Sequence, residues 1–186
     1  MAKALDQKKS LKDTALKYED QLKKIKVCLF DVDGILTNGG LTWDGEDVGF
    51  NRTTHAQDGW AMKFLQKKGI KVGIISGGDS PGLRQRFIKL LKLDFVYLGN
   101  EDKREAYKAI LSQGYEDEEI LFMGDEFIDL PILKRVGFSA TVPNASLEIQ
   151  EAVDYITYRE SGDACVREVI DILRYAQDLK VECLEF

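Results

Sequence analysis

Three short apolar runs, each ending at a polar residue, dominate the hydrophobic pattern of the chain. The runs and the residues that end them are 25–30 before Asp31, 70–75 before Ser76, and 120–123 before Gly124. Continuous hydrophobicity of this length is typical of strands that are buried on both faces. Helical patterns of crossover length lie between them, at 59–68, 82–92 and 102–113. This alternation predicts an α/β fold, a Rossmann-like doubly wound parallel sheet with helices on both sides.

Weaker hydrophobic patterns predict further strands, a closing helix and a helical leader. Residues 95–98, 139–142 and 154–156 predict further strands, and 166–179 predict a closing helix. Apolar residues recur at helical spacing in a charged leader, at Leu11, Ala15, Tyr18, Leu22 and Ile25. We therefore expect an amphipathic helix over about 4–24, packed on the core, so that residues 1–24 are a leader and 25–186 form a single domain.

One segment, residues 37–54, interrupts the alternation. It contains two short strand-like pieces joined by Asp44-Gly45, a dipeptide favoured in two-residue type I′ turns. We interpret it as an inserted β-hairpin beside the active edge of the sheet, in a chain with no separate cap domain. Farther along, Trp60 and Phe64 lie at helical spacing and are predicted to be core residues.

The composition of the chain excludes several classes of protein and of catalytic site. The 186 residues carry 26 Lys and Arg against 32 Asp and Glu, a net charge of -6, which argues against a general nucleic-acid binder. One histidine and three scattered cysteines do not form a zinc cluster or a disulfide framework, and we expect a reduced, cytoplasmic protein with buried cysteines. No 18 apolar residues run together, so we expect no membrane partner. Carboxylates are therefore the first candidates for catalysis.

Polar side chains follow the three strongest strands, where loops of a parallel sheet converge on ligands. The first strand is followed by Asp31 and Asp33, and the third by Asp125 and Asp129. The hard oxygen ligands Asp31 and Asp125 suit Mg²⁺. The sequence therefore predicts a magnesium site at this edge, with Asp129 orienting the metal site or a nearby lysine.

Phosphoryl transfer is the reaction that these residue types fit. Ser76 and the backbone N–H groups after it, including that of Gly77, are expected at a helix start, where they would bind an anion with Lys103. Asp31 is the candidate nucleophile. Asp33 is the candidate general acid and base, which protonates the leaving oxygen and then takes a proton from water.

The order of these motifs, DxDGxxT, then SG, then Lys, then GDxxxD, resembles the haloacid dehalogenase superfamily over residues 26–173. The resemblance implies that Asp31 forms an aspartyl-phosphate. It also implies that Mg²⁺ is bound by Asp31, by the backbone carbonyl of Asp33 and by Asp125.

The hairpin after DVDGILTNG, the sequence GDEFIDLP and the segment SGDACVREVIDIL resemble more closely the 3-deoxy-D-manno-octulosonate 8-phosphate phosphatases. The resemblance implies an enzyme of lipopolysaccharide biosynthesis that releases phosphate from this eight-carbon sugar acid. It also implies a homotetramer through the hairpin at 39–53, in which a neighbour's hairpin or tail shapes the pocket. The substrate contacts that it implies are Asp33, His55, Ala56, Gln57, Asp58, Gly59, Lys63, Gly77, Arg86 and Lys103.

Several positions depart from the family pattern. Gly78 and Thr54 stand where the family commonly has Arg and Phe, and the loss of the Arg removes a bidentate anion contact. A nine-carbon, sialic-acid-type 9-phosphate is therefore a competing substrate. A non-enzymatic receiver domain or scaffold is the alternative from another class. Asp58 has its own alternative, as the N-cap of a helix that begins at Gly59.

Overall fold

A parallel sheet organises the computed structural model, which describes residues 2–182 and their side chains from residue 10 onward. The strands are β1 (Val27–Phe30), β2 (Thr42–Trp43), β3 (Phe50–Asn51), β4 (Lys71–Ser76), β5 (Phe95–Leu98), β6 (Ile120–Met123), β7 (Phe138–Thr141) and β8 (Tyr155–Ile156). The α-helices are α1 (Ala2–Lys17), α2 (Glu19–Leu22), α3 (Ala56–Lys67), α4 (Pro81–Leu83), α5 (Arg104–Leu111), α6 (Leu130–Leu133), α7 (Leu147–Gln150) and α8 (Cys165–Ala176). A π-helical segment, Arg84–Leu90, continues α4, and shorter π or 3₁₀ segments lie at Val32–Leu36, Asp117–Glu119 and Phe127–Asp129. None of the helices in residues 2–182 is long and apolar enough to cross a bilayer.

Six strands pair in the order β5-β4-β1-β6-β7-β8, and every pairing in this sheet is parallel. The central strand β1 lies between β4 and β6, so Val27 faces Lys71 on one side and Ile120 on the other. The predicted α/β fold is confirmed. Because β1, β4 and β6 are neighbours, the polar residues that follow them reach the same edge of the sheet.

Alternate residues of β1 enter two separate cores, which explains its continuous hydrophobicity. Cys28 and Phe30 pack under α1, α3 and α8, whereas Val27 and Leu29 pack under α5, α6 and α7. All four side chains are fully buried. The sheet is therefore covered on both faces, as the run at 25–30 predicted.

The leader forms two helices instead of one. Helical geometry stops at Tyr18, where φ is -109° and ψ is 22°. The Tyr18 hydroxyl donates to the carbonyl of Asp154 at 2.6 Å, and its ring lies edge-on to Phe138 at 5.3 Å. These contacts fix the leader on the β7–β8 side of the sheet, and α1 also packs against α8.

The inserted hairpin is present, but the prediction of a two-residue turn is wrong. Trp43 pairs with Phe50, so a loop of residues 44–49 joins β2 to β3. The Gly45 carbonyl accepts the N–H of Gly49 at 2.7 Å, and both glycines have positive φ. The aromatic pair, with ring centroids 5.1 Å apart, favours this register over one that closes at Asp44-Gly45.

Helix α3 differs from the prediction at its start and on its faces. It begins at Ala56, and His55 is its N-cap, with Nδ1 accepting the N–H of Gln57 at 3.2 Å. Its buried face carries Asp58, Gly59, Ala61, Met62 and Leu65. Trp60 therefore lies on the outer face and is 70% exposed, so its assignment to the core is wrong, whereas Phe64 packs against the core.

The cysteine prediction holds where the structure tests it. Cys28 and Cys165 are buried free thiols. Burial raises the pKa of both thiols and makes them poor nucleophiles. Cys183 lies outside the described residues.

Candidate active site

Three aspartates that follow β1 and β6 form a cluster, in which Asp31 and Asp129 are buried and Asp125 is partly buried. One carboxylate oxygen from each of Asp31, Asp125 and Asp129 lies within 4.8 Å of the others. Asp31 follows β1 directly, and its own N–H continues the sheet by donating to the carbonyl of Met123 at 2.9 Å. The cluster is thus a direct product of the parallel pairing of β1 with β6.

Lys103, at the start of α5, is the cation of this cluster. Its Nζ lies 2.8 Å from Asp31 Oδ1 and donates to Asp129 Oδ1 at 2.6 Å, and the side chain is 1% exposed. The other oxygen of Asp129 accepts the N–H groups of Asp125 and Glu126, each at 3.1 Å. Asp129 therefore holds both the lysine and the loop that carries Asp125.

Three carboxylates and one ammonium, which pairs with two of them, leave an excess of negative charge in this cluster. Burial is the main reason that the pKa of Asp31 rises to about 7, with Lys103 opposing the rise and Asp129 adding to it. Burial, then Asp31 and Asp129, raise the pKa of Asp125 to about 8. Burial alone would lower the pKa of Lys103, but the carboxylates of Asp31 and Asp129 outweigh it and raise that pKa.

The residues present fit a hard divalent cation. Oδ1 of Asp125 is buried and has no hydrogen-bond partner. An unpartnered carboxylate oxygen beside two further carboxylates is an oxygen-only donor set, which Mg²⁺ prefers and a softer metal does not require. A bound cation would also relieve the repulsion between carboxylates, which adds to the effect of burial on the pKa values of Asp31 and Asp125.

Gly34 makes room for this arrangement. It has a φ of +91°, and a Cβ placed on it would lie 2.0 Å from Oδ2 and 2.5 Å from Cγ of Asp125. Any side chain at residue 34 would therefore collide with Asp125. The glycine of the DxDG motif serves both the turn after β1 and the close approach of the second strand-end aspartate.

Ser76, the last residue of β4, is 2% exposed. Its Oγ accepts the N–H of Gly78 at 3.1 Å, which leaves the hydroxyl hydrogen free to be donated to an anion. The expected helix start is displaced, because Ser80 is the N-cap of α4 and Pro81 its first residue. Gly77 and Gly78 consequently lie in a loop, and the anion site predicted here relies on loop N–H groups.

The Asp33 carboxylate pairs with Arg52 of the hairpin. Its Oδ1 accepts Nε of Arg52 at 2.6 Å and its Oδ2 accepts Nη2 at 2.8 Å, while Thr37 Oγ1 lies 3.3 Å from Oδ1. Arg52 is a site residue that was not predicted from the sequence. No motif marks it, since it is one basic residue after a short strand, and only the hairpin brings it to Asp33.

The segment from His55 to Gly59 forms the first turn of α3. Ala56 and Gln57 are exposed there, whereas Asp58 is 1% exposed. Oδ1 of Asp58 accepts the N–H of Arg167 at 2.7 Å, so the carboxylate caps α8 and not α3, and its predicted role as the N-cap of its own helix is wrong. Burial raises the pKa of Asp58 to about 6 despite this hydrogen bond.

The two basic residues predicted near the substrate lie in different places. A Cβ on Gly59 would lie 2.4 Å from Nη2 of Arg86, so this guanidinium lies against the first turn of α3. Lys63 lines a groove between α3 and α8 with Trp60 and Arg167. The described lining of that groove includes none of the three aspartates.

Comparisons with known proteins agree with this geometry. Residues 93–170 match the family model described as haloacid dehalogenase-like hydrolase. The 3-deoxy-D-manno-octulosonate 8-phosphate phosphatase KdsC of Haemophilus influenzae is 35% identical over 162 residues, which cover 86% of this chain and 88% of the relative.

Solved structures of phosphatases with this activity in their names are also similar to this chain. The phosphatase of that name from Moraxella catarrhalis, described as a complex with a magnesium ion, a phosphate ion and a KDO molecule, has a TM-score of 0.81 and 31% identity. This match covers 87% of this chain and 92% of the other. The cobalt-bound Haemophilus influenzae phosphatase has a TM-score of 0.79 and 34% identity, with coverage of 85% and 92%.

Proposed function

Because the chain belongs to the 3-deoxy-D-manno-octulosonate (KDO) 8-phosphate phosphatases of the haloacid dehalogenase superfamily, it is a phosphoric monoester hydrolase, and we propose that it hydrolyses KDO 8-phosphate with Mg²⁺. The observation that carries the proposal is the cluster of Asp31, Asp125 and Asp129, in which Lys103 pairs with Asp31 and Asp129. Its similarity to a phosphatase described with magnesium, phosphate and KDO supports the choice of metal and substrate.

Each residue of the site has a part in the proposed reaction. Asp31 attacks phosphorus through a carboxylate oxygen as the bond from phosphorus to the sugar oxygen breaks, and an aspartyl-phosphate forms. Lys103 and the Ser76 hydroxyl stabilise charge on the phosphoryl oxygens. Asp31, Asp125 and the backbone carbonyl of Asp33 would hold Mg²⁺, which would supply further neutralisation of the phosphoryl charge.

Asp33 completes both steps in the proposal. It gives a proton to the leaving sugar oxygen, and it then takes a proton from the water that hydrolyses the aspartyl-phosphate. Arg86, beside the first turn of α3, supplies positive charge for the carboxylate of the sugar acid, together with backbone groups of that turn. A receiver or scaffold function loses support, because the family is one of hydrolases.

We expect the purified protein with Mg²⁺ to release phosphate from KDO 8-phosphate at a higher kcat/KM than from a nine-carbon sialic-acid-type 9-phosphate. The reason is that its relatives act on the eight-carbon acid. Phosphate release under matched conditions measures both substrates, and omission of Mg²⁺ is the control.

The two results that count against the proposal differ in kind. A higher kcat/KM for the nine-carbon substrate would transfer the assignment to that sugar acid and implicate Gly78, where the family commonly has Arg. Absence of phosphate release from both substrates by the folded protein would overturn the proposed function as a whole. The cytoplasmic location stays a prediction from the cysteine content.

The proposal includes a homotetramer, which the exposed apolar side chains of the hairpin support. Four apolar side chains on it are 42–56% exposed, namely Leu41, Trp43, Val48 and Phe50. The two-stranded sheet has no further strand partner among the described residues. A small unpaired sheet with exposed aromatic residues is typical of an interface, and a homotetramer through residues 39–53 would cover it.

Replacing both Trp43 and Phe50 by serine is expected to reduce the assembly to monomers, because it removes the edge-to-face pair and most of the exposed apolar area of the hairpin. Sedimentation velocity measures the mass of the assembly. Trp60→Ser is the matched control, since Trp60 is 70% exposed but lies on α3. A monomeric wild-type protein, or a tetramer that survives the double substitution, would contradict the proposed interface.

A further inference from the structure

The side chain of Arg52 connects the hairpin to Asp33, on the segment that follows β1. It follows β3, its Nη1 donates to the carbonyl of Phe50 at 2.9 Å, and its Nε and Nη2 bind both oxygens of Asp33. The Arg52 side chain is 6% exposed, whereas that of Asp33 is 29% exposed. A bidentate pair of this kind fixes both the distance and the plane of the carboxylate.

Gly78 is the position that admits this guanidinium. A Cβ on Gly78 would lie 2.4 Å from Nη2 and 3.3 Å from Cζ of Arg52, and 3.0 Å from Oδ2 of Asp33. The Arg52 guanidinium donates three hydrogen bonds, so it cannot move aside without breaking its pair with Asp33. The space that a side chain at residue 78 would occupy is therefore filled by Arg52.

We infer that Arg52 is a positioning residue for the proposed phosphatase reaction, and that Gly78 is required because it leaves space for Arg52. The inference rests on the proposed role of Asp33 as general acid and base. A general acid must hold its oxygen within hydrogen-bond reach of the leaving group, and Asp33 lies on a loop with one further side-chain partner, Thr37. Arg52 thus supplies most of the orientation of Asp33 and makes it depend on the hairpin.

Arg52→Ala is expected to lower kcat for the sugar phosphate about 100-fold with little change in KM, since misplacement of a catalytic group costs about this much. Arg52→Lys should recover only part of the loss, because an ammonium cannot bind both carboxylate oxygens in one plane. Arg135→Ala is the matched control, because Arg135 also pairs with an aspartate, Asp117, but is 58% exposed and remote from the site. Its kcat should equal that of the wild type.

The link to Gly78 is tested by a double-mutant cycle. Gly78→Ala should lower kcat in the wild-type background and cost much less in Arg52→Ala, because the closest clash partner is then absent and only Oδ2 of Asp33, at 3.0 Å from the added Cβ, remains. An unchanged kcat in Arg52→Ala, a loss confined to KM, or an equal cost of Gly78→Ala in both backgrounds would overturn the inference.

A readout independent of turnover separates this inference from the proposed function. In ¹H–¹⁵N spectra, the Nε–H of Arg52 should be protected from exchange in the wild type and lose that protection in Asp33→Ala, which has no side-chain acceptor at this position. Free exchange in the wild type would refute the pairing even if the enzyme is active. Protection in a protein that releases no phosphate would refute the proposed function and leave the pairing standing.

Discussion

Asp31→Asn is expected to reduce phosphate release by at least about 10⁴-fold, because an amide oxygen does not replace the carboxylate as a nucleophile. The substitution keeps the shape of the side chain. The asparagine oxygen can still accept the N–H of Val32, which now lies 2.7 Å from Asp31 Oδ1. Phosphate release at saturating substrate and Mg²⁺ measures the loss.

The folded state of this variant should be no less stable than that of the wild type. Burial and neighbouring charge raise the pKa of Asp31 to about 7, so its ionised form is costly above that pH. An uncharged asparagine avoids this cost and leaves Lys103 paired with Asp129. Thermal unfolding at pH 8 without metal therefore distinguishes a catalytic loss from an unfolded variant.

Asp94→Asn is the matched control for Asp31→Asn. Asp94 is another carboxylate that accepts a backbone N–H, that of Val72 at 3.0 Å, but it precedes β5 at the opposite end of the strands. We expect it to keep wild-type activity. Turnover by Asp31→Asn within tenfold of the wild type would contradict the assignment of Asp31 as nucleophile.

The parallel sheet could be predicted because its signal is local. Apolar runs at 25–30, 70–75 and 120–123 each became a strand, and the residues that end them lie at one edge. The predictions that were wrong depend on contacts between distant residues, or on which face of a helix a residue occupies. The hairpin register is set by the pairing of Trp43 with Phe50 across a loop, which overrides the local preference of Asp44-Gly45.

In the site, too, the residues with a local sequence signal could be predicted, and those placed by distant contacts could not. Strand-end position alone brought Asp31, Asp125 and Asp129 to one place, since parallel pairing follows from the alternation of the elements. Arg52 could not be found in this way, because its partner lies 19 residues earlier and only the path of the hairpin joins them. Asp58 was misassigned for a similar reason, since the helix that it caps begins more than 100 residues later, near Arg167.

Gly34→Ala is expected to lower both Mg²⁺ affinity and phosphate release, the latter by about 100-fold or more, since a small displacement of a reacting or binding group has this effect. A methyl group at residue 34 would lie 2.0 Å from Oδ2 of Asp125, so the carboxylate must leave its present position. Asp125 Oδ1 is the buried oxygen without a partner, so its displacement removes the ligand that is most free to bind a cation. Titration calorimetry with Mg²⁺ measures the affinity directly, and phosphate release measures turnover.

Backbone strain must be separated from this collision, because alanine at a φ of +91° is itself unfavourable by about 1–2 kcal/mol. Gly114→Ala supplies the comparison, since Gly114 has a φ of +95° with nothing within 4 Å of its added Cβ. Both variants should lose similar stability in urea unfolding from strain, but only Gly34→Ala should lose metal affinity and turnover. If Gly34→Ala binds Mg²⁺ and turns over as well as Gly114→Ala, then Asp125 either tolerates the displacement or is not a metal ligand. A loss specific to Gly34→Ala would tie the glycine of the first motif to the aspartate of the last through one contact.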